Sequence, residues 1–222
     1  MTGVAAAAYE HVAFDLDGTL IDSRADLAAA VSHVLARLGL PAIVPEMVYG
    51  YVGDGARVLV ERALGAAHAD LVPAGIELFM CHYAAHLLDA TRPYPGVADT
   101  LDRLATRGVA LSVLTNKPLA MSRAILDGLG LLPRFVEVVG GDSLPTRKPD
   151  PAGLELLRGL TATPRERMLL VGDSPVDVRT ALAGGVAFCG VSWGLQPEAL
   201  RAARPERLIA RPQELLAIVG PA

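Results

Sequence analysis

One alternation restricts the possible folds of this chain more than any other feature. Short, nearly continuous apolar runs occur at HVAFDL (11–16), VALSVLT (109–115), FVEVVGG (135–141), MLLVGD (168–173) and VAFCGVSW (186–193), with RLIA (207–210) as a weaker sixth. From residue 97 onward they are separated by helical stretches at 97–107, 118–129, 151–160, 175–184 and 197–203. A strand that is apolar at nearly every position has no face to leave wet. It must be covered on both sides, as happens when parallel strands are joined by crossover helices. After the first strand the alternation stops: residues 23 to about 90 have helical periodicity and no convincing strand. ADLAAAVSHVLARLGL keeps its apolar residues on one stripe, with Gly39 as a C-cap. A second helix, ARVLVERALG, follows GDG; a third covers 73–89, and the turn-rich RPYPG (92–96) closes the section. The expected fold class is α/β, a mostly parallel sheet flanked by helices, with a small all-helical domain inserted after the first strand. The expected boundaries are 1–21 and 93–222 for the core and 22–92 for the insert.

The polar residues fall where such a sheet would use them. Asp15 and Asp17 close the first strand, Thr115 and Asn116 the second, Lys148 lies after the third, and Asp173 and Asp177 follow the fourth. Open parallel sheets bind ligands beyond the carboxyl ends of their strands. Carboxylates gathered on that rim repel one another, and a divalent cation relieves the repulsion; an all-oxygen set suits Mg²⁺. Lysine is the other signal. Of 20 basic residues only Lys117 and Lys148 are lysines, and both lie in these strand-end loops. A compact ammonium can hold a carboxylate oxygen and a phosphoryl oxygen together, which the broad guanidinium of arginine does less well.

Composition removes several classes. A net charge of −4 argues against a nucleic-acid surface. The two cysteines, Cys81 and Cys189, form no disulfide framework. No apolar run reaches membrane-spanning length, and MTGVAAAAYEHV lacks a basic n-region, so a cytoplasmic protein is expected.

FDLDGTLIDS, LTNKP, RKPDP and GDSPVD, in that order, resemble the four signature motifs of the haloacid dehalogenase superfamily, and the inserted helices resemble the C1 cap of its phosphoglycolate phosphatase-like members. The resemblance runs from about His11 to the last strand. It implies a Rossmann-like core, Mg²⁺ and an aspartyl-phosphate intermediate. By that resemblance Asp15 is the nucleophile, and Asp17 is the acid toward the leaving alkoxide and then the base toward water. Asp15, the Asp17 main-chain oxygen and Asp173 hold the metal, and Asp177 orients a metal-bound water. Thr115 and the Asn116 backbone bind phosphoryl oxygens, Lys148 pairs with Asp15 and phosphate, and Gly18 turns the chain sharply out of the strand.

An aspartate at position 17 disfavours dehalogenation, which needs no acid for an alkoxide. Thr19 resembles phosphatases more than sugar phosphomutases. In YVGDGAR (51–57), Gly53 and Gly55 admit a ligand to the backbone, and Arg57 is expected to grip a carboxylate. The segment resembles phosphoglycolate phosphatase caps, so 2-phosphoglycolate is the expected substrate. The alternatives are another small anionic or sugar phosphate such as N-acetylmuramate 6-phosphate, or a phosphotransferase or mutase of the same family. A receiver-like switch is disfavoured by the DxDGT spacing, and an idle phospho-ligand-binding protein by the filled catalytic positions. The expected partner is a small phosphorylated metabolite, on a monomer or homodimer. IDSR (21–24) is expected as the hinge, with Arg24 facing substrate or solvent. Lys117 is expected as a rim charge at a helix start, with a direct substrate role as the alternative, Trp193 and Gly194 as residues packed beside the cleft, and His82 and His86 as surface groups rather than a zinc pair.

Overall fold

The computed structural model describes residues 9–220. The chain begins with β1 (His11–Phe14) and β2 (Ile21–Asp22), then four helices, α1 (Arg24–Arg37), α2 (Pro45–Tyr49), α3 (Ala56–Leu64) and α4 (Val72–Ala85). It returns through β3 (Arg92–Pro93). From there strands and helices alternate: α5 (Val97–Thr106), β4 (Ala110–Leu114), α6 (Leu119–Gly128), β5 (Glu137–Val139), α7 (Ala152–Thr161), β6 (Met168–Gly172), α8 (Pro175–Gly184), β7 (Ala187–Val191), α9 (Pro197–Ala202), β8 (Leu208–Ile209) and α10 (Leu215–Val219).

Six strands form one sheet in the order β5-β4-β1-β6-β7-β8, and each neighbouring pair is parallel. The first strand is therefore central. Phe14 lies level with Val113 on one side and Val171 on the other. The carboxyl end of β1 opens between those of β4 and β6, where the strand order reverses and parallel sheets bind ligands.

Alternate residues of each strand feed two separate cores. Val12, Phe14, Val113, Leu169, Val171 and Cys189 pack on one face, against helices that include α5 and α6. Ala13, Leu114, Met168, Leu170 and Phe188 pack on the other, against α7 and α8. Burial of both faces accounts for the unbroken apolar runs. His11, on the α7 side, is the exception. It is fully buried, with Nε2 at 2.8 Å from Ser112 Oγ and Nδ1 at 2.9 Å from Thr161 Oγ1.

The helices between β2 and β3 have their own apolar cluster, including Val31, Leu59, Phe79 and Tyr83, and Met121 of α6 packs into it. The ways in and out of this segment lie side by side as the antiparallel pair β2–β3. Buried Asp26 of α1 fastens the return strand by accepting bonds from the Ala90 and Thr91 N–H groups and the Thr91 hydroxyl. The α2 helix was not anticipated, because PEMVY is too short to show a period. The strands end earlier than their apolar runs suggest, since Asp15, Thr115 and Asp173 leave the ladder to face the site. No helix among the described residues is long and apolar enough to cross a membrane.

Candidate active site

The Asp15 N–H donates to Val171 O at 2.9 Å, so the sheet still fixes its backbone as the chain leaves β1. Its Oδ1 accepts from the Leu16 N–H at 2.7 Å and pairs with Lys148 Nζ at 2.9 Å. Two residues later, Gly18 has φ +84°, a conformation that a side chain resists, and a Cβ there would collide with the Asp173 carboxylate. Gly194 presses on Asp173 from the opposite loop and tolerates a Cβ no better. Bare backbone on both sides confines Asp173, and its Oδ2 takes the Leu195 N–H at 2.7 Å.

Asp15, Asp173 and Asp177 are buried, and each offers a carboxylate oxygen within 4.8 Å of the others. Burial pushes Asp15 up to about 6; the Asp177 charge adds to this and Lys148 partly offsets it. Burial, then the charges of Asp15 and Asp177, raises Asp173 well above the usual carboxylate range. Burial opposes the Lys148 charge, yet Asp15 and Asp177 together hold its pKa above the ordinary lysine value. One ammonium cannot balance three carboxylates, and the unbalanced oxygens are hard donors that suit Mg²⁺. Both oxygens of Asp177 are already engaged by protein groups. Its Oδ1 takes Lys148 Nζ at 2.6 Å, and its Oδ2 takes the Ser174 hydroxyl at 2.6 Å in the capping box that starts α8. Asp15, Asp173 and Asp177 are together the side chains whose oxygens could hold a metal. Asp177, expected to orient a metal-bound water, also anchors Lys148.

Asp17 faces the same space and is held by other groups. Its oxygens accept from Lys117 Nζ at 2.9 and 3.0 Å, and Oδ1 also takes the Ser23 hydroxyl at 2.6 Å. Lys117 donates further to Tyr83 Oη of α4 at 2.7 Å. The expectation of a rim charge is thus corrected. Lys117 is 7% exposed, and its pKa stays above the ordinary lysine value because Asp17 and Tyr83 outweigh the cost of burial. The local sequence gave no sign that α4 would lie over it.

These groups line a cavity between the sheet edge and the helical segment. Asp15, Asp17, Thr115, Asn116 and Lys117 line one side; Val52, Gly53, Gly55, Leu59, Phe79 and Tyr83 line the other. The Thr115 N–H donates to Val139 O, and its Oγ1 accepts the Lys117 N–H at 3.2 Å. Asn116 was expected to act through its backbone, but its side chain is the conspicuous part. Nδ2 joins Gly53 O to Lys148 O, both at 2.9 Å, and latches the glycine loop to the core. Gln196 adds a second latch to Val52 O.

Other expected residues stand apart. Arg57 points away from the cavity, with its side chain 60% exposed and Nη1 at 3.2 Å from Glu61. Arg24 pairs with Asp22 beside the β2–β3 junction. His82 stacks between His33 and His86, and the Asp15–Asp173–Asp177 group is the one metal-ligand cluster among the described residues. Trp193 Nε1 donates to Thr19 O and braces the turn after Gly18. Ser23, Tyr83, Gln196 and the Leu195 N–H were missed by sequence reasoning. Ser174 was missed as well, although S-x-x-D after a strand is a helix-start pattern that could have found it.

A family model described as haloacid dehalogenase-like hydrolase matches residues 12–191. The phosphoglycolate phosphatase of Yersinia pseudotuberculosis serotype I (strain IP32953) is 40% identical over 218 residues, covering 96% of this chain and 94% of its own. That of Pseudomonas fluorescens (strain Pf0-1) is 47% identical over 190 residues, covering 82% of this chain and 69% of its own. The crystal structure of a predicted phosphoglycolate phosphatase from Haemophilus somnus 129PT superposes with a TM-score of 0.88 at 31% identity, covering 95% of this chain and 98% of its own. With motifs, topology and relatives in agreement, the chain belongs to the haloacid dehalogenase-like hydrolase family.

Proposed function

We propose that the protein is a Mg²⁺-dependent phosphomonoester hydrolase that works through an aspartyl-phosphate on Asp15, with 2-phosphoglycolate as its substrate. One observation carries the mechanism: Asp15 and Asp17, two residues apart, face one cavity, each held by its own buried lysine. The relatives named phosphoglycolate phosphatase support the substrate.

Asp15 Oδ2 has no protein partner among the described residues and is free to attack phosphorus, while Oδ1 stays tied to Leu16 and Lys148. As the new P–O bond forms and the ester P–O bond breaks, Asp17 gives its proton to the leaving alkoxide. In the second half Asp17 takes a proton from water, which attacks the same phosphorus. The bond to Asp15 breaks, and inorganic phosphate and the carboxylate are released. The Thr115 hydroxyl and Lys148 are the donors for phosphoryl oxygens. Asp15, the Asp17 main-chain oxygen and Asp173 would hold Mg²⁺, which supplies charge neutralisation for the phosphoryl group when bound.

We assign residues 22–92 as a cap that closes over the cavity and excludes water, pivoting at β2–β3. The cysteines are unpaired, in keeping with a reducing cytoplasm. The test is phosphate release from a panel of esters: 2-phosphoglycolate, N-acetylmuramate 6-phosphate, sugar phosphates and nucleoside monophosphates, each with Mg²⁺ or EDTA. The expected result is Mg²⁺-dependent turnover with 2-phosphoglycolate ahead. Preference for another ester would remove the substrate; no metal-dependent release from any ester would remove the mechanism.

A further inference from the structure

We propose that Lys117 and Tyr83 together receive the second anionic group of the substrate, the one that is not transferred. The inference rests on the phosphatase reading and specifies what that site accepts.

The cavity has two unlike ends. Around Asp15 it is crowded with donors and acceptors for a phosphoryl group. Away from it the walls are Leu27, Leu59, Phe79 and Met121, which offer a carboxylate nothing. Among the lining residues, Lys117 is the one cation and Tyr83 the one phenol, and they touch. Arg57, which the sequence favoured for this task, faces solvent and Glu61. For a small ester with two anionic groups seated on Asp15, Lys117 is therefore the cation within the lining that can meet the second one.

The donors are ready for it. Tyr83 is 1% exposed, and its oxygen accepts from Lys117. Its own O–H donates to no acceptor among the described residues, although the side chain lines the cavity. A buried hydroxyl with an unused proton is costly unless something accepts it. Lys117 spends its three protons on the two Asp17 oxygens and Tyr83 Oη. It can move one to an incoming carboxylate without stranding Asp17, because Ser23 also donates to Asp17 Oδ1. With little water to compete, a charge-assisted contact here is stronger than one on the surface.

The position also sets substrate size. Lys117 lies in direct contact with Asp17, which must reach the ester oxygen. The second anion therefore sits only a few bonds from that oxygen. Small phosphorylated acids satisfy this, and sugar phosphates do not.

The experiment compares two esters of equal size, 2-phosphoglycolate and the phosphate ester of glycolamide, in wild type, Lys117→Met and Tyr83→Phe. Wild type is expected to favour the carboxylate by about 100-fold or more in kcat/KM. Lys117→Met should remove most of that ratio, chiefly through KM for the acid. Tyr83→Phe, which keeps the ring and its packing, should lower it by roughly 3- to 10-fold. A ratio unchanged in both variants, even with both rates depressed, would refute the receptor while leaving the phosphatase intact. Lys117 would then act only on Asp17. Failure of wild type on both esters would instead overturn the 2-phosphoglycolate reading, and this inference with it.

Discussion

Lys148 and Lys117 each bury an ammonium against one aspartate of the Asp15–Asp17 pair, but their surroundings differ. Lys148 is held by Asp15 at the end of β1 and by Asp177 in the first turn of α8. Both partners belong to the sheet and its flanking helices. Lys117 is held by Asp17 and by Tyr83, which comes from α4 of the helical segment. The Lys148 site is complete without the helical segment, whereas the Lys117 site needs α4 in place. On the proposed reading, phosphoryl chemistry is built on strand ends, and recognition is assembled across the boundary between the sheet and the helical segment.

Removing Lys148 should break this arrangement with the largest effect. Lys148→Met leaves Asp15 and Asp177 buried without a counter-charge, a loss of about 3–5 kcal/mol for a broken buried pair. Urea unfolding in EDTA would measure it, and saturating Mg²⁺ should restore part of the loss by occupying the same oxygens. Turnover should fall by at least about 10³-fold, since a donor to the phosphoryl group goes too.

Acid distinguishes the carboxylate cluster from His11, buried at the start of β1. Burial lowers His11 from 6.5 to about 4, so the neutral form is the one the fold accepts. Its contribution to stability is full above the unfolded value and is lost as pH falls from 6.5 toward 4, up to about 3 kcal/mol. Asp15 has the opposite sign. Its folded value is raised to about 6, so without metal it favours the fold at low pH and loses that contribution as pH rises through 6. Denaturant titrations across this range in EDTA should show a falling limb toward acid in wild type that His11→Asn lacks. The same limb in the variant would mean that the carboxylates, not His11, govern acid unfolding.

The smallest effect is expected at Arg57. An exposed i,i+4 pair with Glu61 is worth under about 0.5 kcal/mol, and Arg57→Ala should change kcat/KM for 2-phosphoglycolate by less than about 2-fold. A large rise in KM would return the carboxylate to Arg57 and take it from Lys117.

The parallel core was legible because two-sided burial leaves unbroken apolar runs, and the phosphoryl end because strand-end polar residues stand out against them. Asp15, Asp17, Thr115, Lys148 and Asp173 all face one edge of the sheet. The recognition end was not legible. Tyr83 lies in VPAGIELFMCHYAA as one more aromatic on an apolar helix, and its contact with Lys117 spans 34 residues of sequence. Arg57 shows the same limit: a helix-start arginine beside glycines is visible in sequence, but its exposed pairing with Glu61 is not. Ser23 and the Leu195 N–H depend on loop geometry that no local pattern encodes.

The most direct test of the account is to mix the enzyme with Mg²⁺ and 2-phosphoglycolate, quench in acid within a turnover, and weigh the peptide carrying Asp15. The account predicts a gain of one phosphoryl group on that peptide, absent when Asp15→Asn is treated the same way. Full turnover with no adduct on Asp15 at any quench time would contradict it, and water would then be the attacking group.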